Sequence, residues 1–238
     1  LVNTPVTRLK GVGAAMAEKL HKVGIENLQD VLFHLPSRYQ DRTRITPIGA
    51  LRPGQDAVIV GTVLAADIIQ ARRRSLIVRL HDASGTLSLR FFHFSMAQKN
   101  SFAKGSQLRC YGEVRPGATG LEIYHPEYQL INANEPFATE DSLTAIYPAT
   151  EGITQARLRT IAQQTLELLS AASLPELLPQ ELLRHYQLPS LEQAIRFVHQ
   201  PPPDANTQQL EEGTHWSQQR LAFEELLTHQ LSMQRMRE

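Results

Sequence analysis

The chain has 238 residues, of which 42% are hydrophobic, enough to fill the core of one large domain or two small ones. Its longest apolar runs, 57–60 and 63–66, are far short of a membrane span and no basic-then-apolar leader precedes them, so a soluble, cytoplasmic protein with no membrane partner is expected. Net charge is zero, which on its own argues against strong nucleic-acid binding. Residues 1–131, however, carry 17 Lys plus Arg against 10 Asp plus Glu (+7), and residues 132–238 carry 7 against 14 (−7). The basic half is the candidate for phosphate contact, unless these charges merely decorate solvated faces.

Residues 8–35 carry helical signals punctuated by glycine. Gly11-Val12-Gly13 leads into the good helix formers of 14–20, and Gly24 can close that helix as a left-handed cap. Asn27 can cap a second helix that Pro36 stops, so two short helices flank a turn. The amino-terminal helical lead-in is assigned to residues 1–50.

From residue 57 the period becomes that of strands, over 57–70, 75–81, 86–94, 107–115 and 121–131. The single cysteine, Cys110, falls within the fourth stretch, where it reads as packing and excludes an internal disulfide. Residues 95–103 form a short helix or crossover, and the other links are tight turns such as Asp82-Ala83-Ser84-Gly85. Three meandering strands, a crossover and a hairpin fit an OB-fold, so the predicted class is α+β: a five-stranded OB-fold β-barrel at 51–132 between helical segments.

Helical patterns return after residue 132. Thr154 caps a helix through Leu169, a second covers 179–186, and a third over 191–198 is opened by the Ser190…Gln193 capping box. Residues 133–203 are expected to form a helical layer packing on the barrel. Pro201-Pro202-Pro203 is a stiff break before a last amphipathic helix from residue 215 or 216 to Arg237, placed in a segment 204–238. That helix has no stop signal, so the chain is expected to be cut from something longer.

None of the five lysines follows a glycine, so the sequence has no P-loop, and it has neither a serine-hydrolase elbow nor a His-Glu-x-x-His pattern. Catalysis by these residues alone is not expected. Three features instead suggest nucleic-acid contact. Lys10, Gly11 and Gly13 resemble the start of a helix-hairpin-helix, whose open amides and helix dipole favour a phosphate; a turn that only packs on its neighbour explains the same residues equally well. In the third strand Leu87, Leu89 and Phe91 share the core side, whereas Arg90 and Phe92 share the other, with Phe94 and Lys99 just beyond. An aromatic beside a cation on an OB surface stacks bases and neutralises phosphate, although a helix covering Phe92 is the competing reading. Arg72-Arg73-Arg74 occupies the turn between the first two strands, a loop that OB folds use to grip nucleic acid, or else a solvated hairpin tip.

Several ordered segments together carry a family likeness. Leu35-Pro36-Ser37-Arg38-Tyr39-Gln40-Asp41-Arg42, Pro47-Ile48-Gly49, Arg90-Phe91-Phe92-His93-Phe94, His125-Pro126-Glu127-Tyr128, Tyr147-Pro148-Ala149-Thr150-Glu151-Gly152, His199-Gln200-Pro201-Pro202-Pro203 and Glu224-Glu225-Leu226-Leu227 resemble the amino-terminal region of RecG helicases over nearly the whole chain. The resemblance implies a wedge that splits strands at a branched DNA junction while a motor pulls duplex through, with Phe92, Arg90, Phe94 and Lys99 as wedge candidates. It further implies a monomeric, nucleoid-associated bacterial protein whose partners are replication forks, Holliday junctions and its own helicase motor. ATP and Mg are expected in motor domains that this sequence lacks, with no cofactor or metal of its own. The alternative is an OB-fold interaction module that docks a motor or partner protein. An anticodon-binding OB domain of a synthetase fits the fold alone, but explains neither the leading helices nor the ordered segments.

Overall fold

The computed structural model describes residues 1, 3–131, 142–170 and 174–235. In chain order, helices α1 (Ala14–His21) and α2 (Leu28–Phe33) precede a short strand β1 (Arg38–Gln40). Strands β2 (Asp56–Gln70), β3 (Arg74–His81) and β4 (Thr86–Phe91) lead through helix α3 (Met96–Ser101) to β5 (Gln107–Gly117), β6 (Gly120–Tyr124) and β7 (Glu127–Ile131). Strand β8 (Thr144–Ile146) and helices α4 (Gln155–Glu167), α5 (Gln180–His185), α6 (Leu191–His199), α7 (Thr207–Glu212) and α8 (Trp216–Arg235) follow. This is the expected α+β class, a sheet-rich centre with helical segments before and after it. The chain divides into two units, Arg42–Glu140 and Leu1–Asp41 with Asp141–Glu238.

In the first unit the β-branched and apolar run of β2 is long enough to serve two neighbours. Its residues 56–62 pair with β5 and its residues 62–70 with β3, with a register shift between Val63 and Ala65 that bends the strand. β3 pairs with β4, β4 runs parallel to β6, and β6 pairs with β5. Followed in order, these pairings return to β2, and alternate side chains face one core: Ile59, Val63, Leu76, Val78, Leu80, Leu87, Leu89, Phe91, Leu108, Cys110, Val114 and Ile123. Burial pushes the Cys110 thiol up to about 12, so it packs as a neutral thiol.

The strand expected over 121–131 is two strands. His125 adopts a left-handed backbone (φ 46°) and Pro126 has no amide to donate, so the chain breaks between β6 and β7. β6 pairs with the far end of β5 and β7 with its beginning, Gln107 to Tyr111. The third strand, expected to reach Phe94, ends at Phe91 because its parallel partner turns away at the same level. Two of the resemblance segments meet here: Arg42 makes a bidentate pair with Glu127 (2.9 and 3.1 Å) and lies 3.7 Å above the Tyr111 ring. Asp82 ties down another, since its carboxylate accepts from the amides of Ile48, Ser84 and Gly85.

In the second unit both ends of the sequence contribute to one core. Val6, Leu9, Val12, Leu20 and Leu28 pack with Ala145, Tyr147, Leu158 and Ile161, and β1 pairs antiparallel with β8. The expected caps are present: Gly24 is left-handed beyond α1 with Ile25 N–H donating to Leu20 (3.0 Å), Asn27 and Asp30 form a capping box, Thr154 caps α4, and Ser190 with Gln193 boxes α6. α6 carries Leu191, Ala194, Ile195 and Val198 on its buried face. The fully buried Arg220 of α8 bridges Glu176 (2.6 Å) and Glu224 (2.7 Å). The expected end of that helix at Arg237 lies outside the described residues. Among the described residues no helix is long and apolar enough to cross a membrane.

Candidate nucleic-acid interface

Alternation in β4 puts Leu87, Leu89 and Phe91 inside, as the sequence reading requires, and turns Ser88 and Arg90 outward. The same rule applied to β6 buries Ile123 in the core and sets Glu122 and Tyr124 on the other side. Because β4 and β6 run parallel with Ser88 opposite Glu122 and Arg90 opposite Tyr124, these outward residues become neighbours. Arg90 donates to both oxygens of Glu122 (2.8 and 2.9 Å) and to the Ser75 hydroxyl (3.0 Å). Glu122 and Ser75 are both buried, and the Glu122 hydrogen bond holds Arg90 firmly charged. Arg90 is therefore committed to internal pairing, and its charge is balanced within the sheet.

One step further along the same face, Phe92 is half-buried rather than exposed. Its ring meets Tyr124 edge to face (5.4 Å between centroids) and His125 at 5.7 Å, both residues of the barrel unit. The cation beside it is Arg73, 5.3 Å from the ring centroid, not Arg90. Arg74 lies 5.3 Å from the ring of Phe94, which leans on the barrel core. The turn after β2 and the first residue of β3 thus bring Arg73 and Arg74 to the end of β4, joining two features that lie eighteen or more residues apart. Arg72, Arg73 and Arg74 are all exposed. Lys99 is half-buried in the last turn of α3, in the same unit.

The residues that complete this cluster lie in the β5–β6 hairpin and the break after it. Tyr124 has Arg115 5.6 Å from its ring, and His93 stacks on His125 at 5.8 Å. His125 N–H donates to the Arg90 carbonyl (2.9 Å), and its Nε2 accepts from the Phe92 amide (3.2 Å). Burial, then the nearby His93 and Arg73 charges, hold the His125 imidazole below its usual range, in the neutral form that can accept. The sequence reading missed Tyr124, though the alternation that puts Ile123 inside was available to find it.

Lys10, Gly11 and Gly13 belong to the other unit. Gly11 is left-handed (φ 77°), and the Arg157 guanidinium donates to its carbonyl; a Cβ on Gly11 would stand 2.5 Å from that guanidinium. The Lys10 amide donates to Gln164 (2.7 Å). The glycine turn is thus docked on α4. Gly13 is the extended N-cap of α1 with no side-chain cap, and the Lys10 side chain is exposed. Among the described residues no group of His, Cys, Asp or Glu could hold a metal ion, and with no Gly-Lys P-loop in the sequence these residues do not fit ATP with Mg.

The family model of the RecG wedge domain matches residues 5–169. The ATP-dependent DNA helicase RecG of Pasteurella multocida is 50% identical over 98% of this chain, and that of Escherichia coli K12 is 44% identical over the same share. The chain spans about a third of the length of these curated relatives, 33% in each. Among solved structures, that of RecG bound to a three-way DNA junction superposes with a TM-score of 0.73 at 28% identity, covering 98% of this chain and 31% of that one.

Proposed function

The chain belongs to the RecG wedge-domain family, and on that premise we propose that it is the branched-DNA-binding wedge of an ATP-dependent helicase that remodels stalled forks and Holliday junctions. The observation that carries this reading is the gathering of Arg73 and Arg74 against Phe92 and Phe94 at one end of the barrel. Guanidinium groups supply phosphate contacts without a sequence code, and a ring wedged among them offers a face on which an end base pair or unpaired base stacks. Binding is selective for structure, not sequence. Arg72 and Lys99 extend the positive surface, Arg90 positions the strand that carries Phe92, and Lys10 with the amides after Gly13 forms a second, separate phosphate contact. ATP hydrolysis, with its Mg, resides in motor residues outside this sequence. The protein works as a monomer in the cytoplasm, at the nucleoid; the relatives named above are bacterial, which supports the bacterial setting alone.

The test is fluorescence anisotropy with a three-way junction, a four-way junction and plain duplex across a salt series. We expect tighter binding to both junctions, with a slope that falls by about 0.9 for each phosphate contact removed in Arg73→Ser and Arg74→Ser. Equal affinity for duplex and junction, without salt dependence, overturns the proposal. A protein-docking role is favoured elsewhere, on α8, where Leu226 and Leu231 are 70% and 52% exposed. We assign this exposed stretch of α8 to contact with the helicase motor, a role carried by the helical unit.

A further inference from the structure

We infer that the barrel carries a second stacking platform beside Phe92, a subsite for one unpaired nucleotide built from Tyr124 and Arg115. It rests on the junction-binding reading above and extends it from a wedge point to a strand path. Arg73, Phe92, Tyr124 and Arg115 follow one another as cation, ring, ring, cation, with 5.3, 5.4 and 5.6 Å between successive groups. Phe92 and Tyr124 share a face because each directly follows its strand's last core-facing residue, Phe91 and Ile123. The pair between the half-buried Arg90 and the buried Glu122 fixes the parallel strands that carry them.

Tyr124 also borders an open cleft of about 430 Å³, lined by Gly54, Glu113, Val114, Arg115, Pro116 and Tyr124. Tyr124 is 39% exposed and forms its aromatic wall. Besides its place over the Tyr124 ring, the Arg115 guanidinium makes an exposed pair with Glu113 (2.7 Å), a contact worth little in water, so a phosphate can replace the carboxylate. A ring for the base and an exchangeable guanidinium for its phosphate are the two elements of sequence-tolerant single-strand binding. The occupant is the nucleotide next to the one on Phe92, in the strand leaving the junction unpaired.

The full chain is titrated against two three-way junctions, one with fully duplex arms and one in which a single arm ends in ten unpaired nucleotides. Tyr124→Ala lowers affinity for the junction with the unpaired arm by about five- to tenfold more than for the duplex-armed junction, where only its contact with Phe92 is lost, whereas Tyr124→Phe matches the unaltered protein on both. Arg115→Gln reduces the salt slope by about 0.7 on the unpaired arm alone. If Tyr124→Ala fails to fold, Tyr124→Leu, which keeps bulk without a π-face, gives the same comparison. Unchanged binding of both junctions by the Tyr124 variant, with Phe92→Ala still weakening both, overturns the subsite and leaves the wedge. No effect of Phe92→Ala on either overturns the wedge reading itself.

Discussion

Phe92 lies just past the end of β4, where the ladder with β6 has run out and its amide needs another acceptor. His125 supplies it. The backbone of His125 still donates to Arg90 O, and its imidazole replaces the missing rung by accepting from Phe92 N. Since that amide can only donate, the imidazole must be the neutral tautomer with its proton on Nδ1. His125 is thus a positioning residue for the stacking ring. His125→Ala should weaken junction binding by about three- to tenfold, the worth of one hydrogen bond, whereas His125→Gln, whose Oε1 falls near the place of Nε2, should restore most of it. Anisotropy on the three-way junction reads the affinities. Equal losses in Ala and Gln variants would show that the ring's bulk matters and its acceptor does not.

At the level of strands, alternation was sufficient to place the core. Leu87, Leu89 and Phe91 could be assigned inward from sequence because period two admits no other face once one apolar residue is fixed. The same rule put Arg90 beside Phe92 and so suggested a stacking pair, but it fixes faces within one strand and is silent on cross-strand neighbours. The neighbour of Arg90 is Glu122, thirty-two residues on, and the cation at Phe92 arrives from the β2–β3 turn. The break at His125-Pro126 was hidden for a related reason: a proline permits a break, and only the need of β6 to follow β4 while β7 follows β5 demands one. The resemblance segments, by contrast, were readable in order, and the structure gives some of them a physical basis in the Arg42–Glu127 pair and the Asp82 turn. Because Arg90 and Glu122 are matched with little solvent, removing one partner leaves a buried charge. Arg90→Ala should cost roughly 3 kcal/mol of stability in urea unfolding, against less than about 0.5 kcal/mol for the exposed Arg73→Ala. Similar losses for both would mean that the Arg90–Glu122 pair is screened by water.

For the molecule as a whole, the charge asymmetry seen along the sequence survives in the units: residues 42–140 hold 12 Lys plus Arg against 8 Asp plus Glu, and the remainder holds 12 against 16. Acid acts on the helical unit through a buried histidine. In the helical unit His199 is 4% exposed, with Nε2 2.8 Å from the Leu32 carbonyl and Nδ1 2.8 Å from the Tyr147 hydroxyl. A carbonyl can only accept, so Nε2 carries the proton and Nδ1 accepts from Tyr147, which leaves a fully bonded neutral ring. Burial pushes its pKa down to about 4, and burial lowers His34 and His215 in the same unit as well. Between the ordinary histidine value and about 4, the unfolded chain binds a proton at this position that the folded chain refuses. Stability from this group is therefore complete above about pH 6.5 and is lost as pH falls, by up to about 3 kcal/mol for His199 once pH reaches its folded value. Trp216, the single tryptophan, lies in the helical unit and reports it. Thermal unfolding followed by tryptophan emission should show a midpoint that drops between pH 6.5 and 4.5. His199→Gln should start lower at pH 7, having lost a satisfied buried network, yet fall less steeply with acid. A midpoint with the same acid slope in both proteins would move the sensitivity away from His199 and onto the other two histidines.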